Sequence, residues 1–140
     1  MELIAGLITA AAVVGLGCAT RQGRSLAFYN NVLIVIALAY VLFAVMAGAP
    51  TTIVVEGAIA SAFVALAVVV AWWPNLRTAG LFVTAGLAAH GAYDLVHHAA
   101  VSNPVVPEWW PVYCGVVDVL LAGWVVRLGR GDGPQVQSGA

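Results

Sequence analysis

The chain has no lysine and little charge of any kind. Its 140 residues include five arginines, six acidic residues and three histidines, and charged residues make up 8% of the total. A water-soluble domain carries about 25% charged residues. With 63% hydrophobic residues and a mean hydropathy of +1.01, this chain lacks the polar surface of a soluble protein, so an integral membrane protein is expected. The net charge of −1 provides no basic footprint, and nucleic acid is not an expected partner. Cysteine is scarce as well. Cys18 and Cys114 fall near opposite membrane faces in the topology below, which argues against an intramolecular disulfide. The first twenty residues, MELIAGLITAAAVVGLGCAT, lack a basic segment and begin with an acid at Glu2. They read as a retained helix and not as a signal peptide.

Apolar length is what the chain has in abundance. Five runs, at about residues 2–20, 29–48, 51–73, 78–101 and 109–128, are each long enough to cross about 30 Å of hydrocarbon as a helix. Helices are required, because lipid leaves backbone amides unsatisfied. The predicted fold is an all-α membrane protein, a bundle of five transmembrane helices in one domain over residues 1–129. Arg21 and Arg24 follow the first run, Arg77 follows the third, and Arg127 and Arg130 stand at the end of the fifth. All five arginines thus share one side, which the positive-inside rule makes cytoplasmic. The N-terminus is then outside and the C-terminus cytoplasmic. Trp72 and Trp73 mark the inner interface, and Trp109 and Trp110 the outer one. Asn30 and Asn31 read as an interfacial turn at the start of the second helix. Residues 130–140, polar and rich in glycine, are expected to form a disordered cytoplasmic tail. Pairs of small residues four apart, such as Gly57 with Ser61 and Ala85 with Ala89, suit close helix packing and allow a homodimer. The lysine-free, alanine- and valine-rich composition suggests a multi-pass protein of a bacterial inner membrane.

Against this background the segment His90–His98, HGAYDLVHH, is out of place. It holds all three histidines and an aspartate. Glu56 in the third run and Asp118 in the fifth, with Cys114 one turn before it, add ionisable groups in spanning segments. A carboxylate at mid-bilayer costs about 2.5–3.5 kcal/mol on insertion scales, so such groups should meet one another, a metal or water. Depth allows it. Measured from the outer ends of their helices, Glu56 lies about 9 Å down, Asp94 about 12 Å, His90 about 18 Å and Asp118 about 13 Å. Angle allows it too: His90, Asp94 and His97 span an arc of about 60°, and His98 widens it to about 100°. The expectation is a polar pocket between helices 3, 4 and 5, open toward the outside.

Imidazole and carboxylate are ligands for iron, zinc, copper and manganese. The candidate metal ligands are His90, Asp94, His97, His98 and Asp118, with Cys114 and Tyr93 as further candidates. Asp94, Asp118 and Glu56 are the candidate catalytic groups if the chemistry is metal-free acid–base catalysis. Simpler roles stay open for some of them. One of His97 and His98 suits a plain interfacial position, Cys114 a small buried hydrophobe, and Tyr40 and Tyr93 packing roles more than hydrogen bonding into the site.

The pattern His90-x-x-x-Asp94-x-x-His97-His98, followed by Asn103, Pro104, Pro107, Cys114 and Asp118, resembles a family of small bacterial integral-membrane proteins known only as a domain of unknown function. The resemblance covers about residues 86–125. Tyr93 stands where that family has tryptophan, and Cys114 with three residues before Asp118 replaces a cysteine pair. The resemblance implies a shared site and brings no activity with it.

The functional expectation is a membrane-embedded enzyme of isomerase, cyclase or oxidoreductase type. It would act on a small lipophilic molecule within the lipid through a metal-assisted or acid–base His/carboxylate site. The alternatives are a proton-coupled transporter or channel, since intramembrane acids and histidines form proton relays, and a structural subunit of a larger membrane complex.

Overall fold

The computed structural model describes residues 1–130, so the expected tail lies outside the described residues except for Arg130. Five helices make up the described fold: α1 (Glu2–Ala19), α2 (Leu26–Met46), α3 (Pro50–Ala71), α4 (Leu76–Ala100) and α5 (Trp110–Gly129). All five are long and apolar enough to cross a membrane. Helix α2 begins at Leu26, so Asn30 and Asn31 lie inside it and form no turn. Asn30 is buried, and its Nδ2 donates to the Ala67 carbonyl at 2.9 Å, tying α2 to α3.

Short connections hold neighbouring helices together. Between α1 and α2 the chain folds back over the end of α1, with the amides of Gln22 and Gly23 both donating to the Gly17 carbonyl. Arg21 takes positive φ to make this turn, and a Cβ on Gly23 would stand 2.6 Å from the Cys18 amide nitrogen. Gly48, at φ +58°, turns the chain out of α2, and Pro50 opens α3, where its missing amide hydrogen costs nothing. Asn75 caps α4 through its side chain, which accepts from the Thr78 amide at 3.1 Å.

The helices alternate in direction, so the bundle has two ends. Connections 20–25 and 72–75 and the C-terminus of α5 lie at one end, with every arginine. Connections 47–49 and 101–109 lie at the other. Buried chemistry divides the same way. The apolar core of Tyr29, Leu33, Val70, Val83, Leu87, Leu121 and Val125 fills the arginine end. The buried polar residues Glu56, His90, Asp94, His97, Asn103 and Asp118 gather in the other half. Large apolar side chains, among them Leu3, Leu7, Val35, Val54 and Leu95, remain exposed around the outside, as a lipid-facing surface requires.

Inside a membrane, burial of apolar surface does not drive one helix onto another, so close approach and polar contacts carry the packing. On the polar side α4 and α5 approach closely at a pair of glycines. A Cβ on Gly91 would lie 3.2 Å from the Asp118 Cβ, and one on Gly115 would lie 3.4 Å from the Gly91 carbonyl. These two glycines let the helices come together where Asp94 and Asp118 must meet.

Candidate functional site

Two polar cells lie side by side in the half of the bundle away from the arginines. The deeper one is built from α4, α5 and α2. His90 Nδ1 stands 2.7 Å from Asp118 Oδ2 and 3.7 Å from Asp94 Oδ2. The Tyr40 hydroxyl reaches in from α2 and donates to Asp94 Oδ1 at 2.7 Å. His90, Asp94, Asp118 and Tyr40 are each at most 1% exposed. Rings enclose the imidazole further, with Phe63 edge-on at a centroid distance of 5.0 Å.

The second cell lies nearer the 101–109 connection and joins α3 to α4. His97 Nε2 is 2.8 Å from Glu56 Oε1. The Tyr93 hydroxyl donates to Glu56 Oε2 at 2.8 Å, and Asn103 Nδ2 donates to Glu56 Oε1 at 3.2 Å. Asn103 also donates to the Tyr40 backbone carbonyl, which fastens the connection over the site. The Tyr40 ring stacks on His97 with centroids 3.9 Å apart, so one tyrosine forms the wall between the cells while its hydroxyl serves the deeper one.

The charge balance of the two cells differs. In the second, one carboxylate faces one imidazole and two neutral donors, and both oxygens of Glu56 are engaged. In the deeper cell two carboxylates face one imidazole, and a proton on His90 leaves one negative charge over. No arginine forms a salt bridge among the described residues. Two of the carboxylate oxygens, Asp94 Oδ2 and Asp118 Oδ1, are buried without a hydrogen-bond partner. An orphaned buried acceptor costs about 1–3 kcal/mol, and an unbalanced buried charge costs more. The deeper cell therefore calls for a second cation, either another proton or a metal ion.

The geometry suits a metal. One ligand atom each from His90, Asp94 and Asp118 lie within 4.8 Å of one another. One nitrogen and two carboxylate oxygens suit zinc, iron or manganese. Three protein ligands leave a coordination position open, as in catalytic metal sites and unlike closed four-ligand structural ones.

The expected site residues thus separate. His90, Asp94 and Asp118 come together. His97 and Glu56 form their own pair, with Tyr93 bonded to it. His98 is exposed, and its ring meets that of His97 edge-on at 5.5 Å. Cys114 is buried one turn from Asp118. The expected pocket between helices 3, 4 and 5 is not the arrangement found, because α2 takes part: Tyr40 enters the deeper cell, and α3 supplies Glu56 to the other. Sequence reasoning ranked Tyr40 as a packing residue and treated Asn103 only as part of a loop motif. Tyr40 continues the buried stripe Tyr29, Leu33, Ala37 of α2, so its spacing announced burial but not its partner. No family model, curated protein or solved structure matches the chain.

Proposed function

We propose that the chain is a membrane-embedded enzyme acting on a small lipophilic molecule, with His90, Asp94 and Asp118 holding a divalent transition metal. The observation that carries this reading is the convergence of two buried carboxylates on one imidazole, with ligand atoms within 4.8 Å of one another and two carboxylate oxygens unpartnered. A divalent ion with neutral His90 brings that cell to neutrality. The ion would supply Lewis acidity at an open position. Tyr40 would hold Asp94 in place, as hydrogen bonds to metal-bound carboxylates do. In the orientation that the arginines favour, with the N-terminus outside in a bacterial inner membrane, the site falls in the outer half of the bilayer. The motif resemblance to the domain of unknown function agrees with a shared site in this region.

Elemental analysis of the detergent-purified protein tests the metal. Near-stoichiometric metal is expected, falling at least tenfold in a His90→Ala/Asp94→Ala double variant and unchanged in His98→Ala. Protein that stays metal-free after reconstitution with iron, zinc, copper and manganese overturns the metal centre. The chemistry would then pass to protons on Asp94, Asp118 and Glu56.

The adjoining cells, sharing the wall of Tyr40, favour one further reading, proton-coupled transport. Proton flux through proteoliposomes under a pH gradient, without turnover of any substrate, would select it.

A further inference from the structure

Helix α1 packs along α5 and stands apart from α2. The gap is a groove of about 460 Å³, walled by α1 and α2 and floored by α5. Val13 lies on its α1 wall, Val32, Val35 and Ile36 on its α2 wall, and Cys114 and Asp118 on its floor. Along α2 its lining runs from Phe28 to Ala39, about 16 Å at 1.5 Å per residue. The groove opens sideways between two spanning helices, so hydrocarbon and not water meets its mouth.

Its floor adjoins the deeper polar cell. Asp118 borders the groove on one side and His90 on the other. The aspartate is fully buried, with Oδ2 engaged by His90 and Oδ1 without a partner. On the side of α2 and α3, the rings of Tyr40 and Phe63 stand against His90. Asp118 is the one residue that both lines the groove and belongs to the deeper cell.

We propose that this groove is a lateral entry for a single-chain lipid alcohol, whose hydrocarbon lies against Val13, Val35 and Val117 and whose hydroxyl donates to Asp118 Oδ1. Two observations select that occupant. Apart from Thr9 and Asn31 the walls are apolar over a length that fits one extended chain, and the orphaned group beside the floor is an acceptor that can take a donor. A carboxylate oxygen carries two lone pairs, so Oδ1 can accept from a hydroxyl beside a metal ion as well as without one. The proposal rests on the reading of the deeper cell as the reaction site and adds the class and route of its substrate.

Photolabelling of the full-length protein in lipid nanodiscs tests it. The probes are a long-chain alcohol carrying a mid-chain diazirine, the matching alkane and the matching primary ammonium. The alcohol should label α1, α2 and α5 saturably at the groove. Labelling should fall at least tenfold in Val35→Trp, which fills the groove from a residue 70% exposed. It should be unchanged in Val54→Trp on α3, 71% exposed and outside the groove. Asp118→Leu, which has no acceptor, should remove the preference for alcohol over alkane while chain labelling persists. Labelling that does not saturate, that survives Val35→Trp or that favours the alkane or the ammonium overturns the proposal. Metal content of Val35→Trp separates the two readings. Retained metal with no saturable labelling refutes the groove alone, whereas saturable labelling of a metal-free protein refutes the metal centre alone.

Discussion

Tyr40 shows what one side chain does in this site. Its hydroxyl is the hydrogen-bond donor to Asp94 Oδ1, and the other oxygen of that carboxylate already lacks a partner. Tyr40→Phe keeps the stack on His97 and removes the donor, leaving Asp94 with two unsatisfied buried oxygens. A loss of about 1–3 kcal/mol is expected in detergent unfolding, with weakened metal binding. Unchanged metal affinity would show that Asp94 is positioned without it. Asn103→Ala acts on the other cell. It removes the bonds to Glu56 and to the Tyr40 carbonyl and should raise amide hydrogen exchange across residues 101–109. His98→Ala should change neither measurement. The ionisable members of both cells were legible in the sequence because a charge in hydrocarbon must have a reason. Tyr40 and Asn103 were not, since a tyrosine in an apolar stripe and an asparagine in a proline-rich turn have sufficient local explanations.

At the scale of elements, glycine controls which helices can meet. Gly91 stands where a Cβ would approach Asp118 Cβ to 3.2 Å, and at Gly6 a Cβ would lie 2.8 Å from Val116 Cγ1. Gly91→Val should force α4 from α5, cost about 1–3 kcal/mol as overpacking does, and lower metal content by separating Asp118 from His90. Gly57→Ala, with nothing within 4 Å of the new atom, should leave both unchanged. Equal effects from the two variants would mean that the α4–α5 approach does not govern the site. The spacing of His90, Asp94 and His97 put them on one face of α4, as found, but that arc proved wide enough to serve two cells. His97 turns to α3 and His90 to α5, because Tyr40 of α2 stands between them.

For the whole molecule, the arginines all lie at the end opposite the polar cells, and the positive-inside rule then sets the orientation we propose. Cys18 is exposed in the last turn of α1 at the arginine end, and Cys114 is buried near the other end. A membrane-impermeant maleimide should therefore label Cys18 in inside-out vesicles and not in right-side-out ones, with Cys114 protected in both until the protein unfolds. Labelling of Cys18 from the outside would reverse the orientation and move the site to the inner half of the bilayer.

The amino-acid sequence by itself determined the five spans, the end that gathers the arginines and the ionisable residues that need partners. These follow from transfer between water and hydrocarbon, which acts on each segment separately. Only the tertiary structure decided the partners. Helix packing in lipid depends on where small residues permit close approach, and that depends on rotations and crossings no single helix contains. Gly91 facing Asp118 joins His90 to α5, the intrusion of α2 sets the Glu56–His97 pair off from the deeper cell, and the separation of α1 from α2 leaves the groove that borders Asp118.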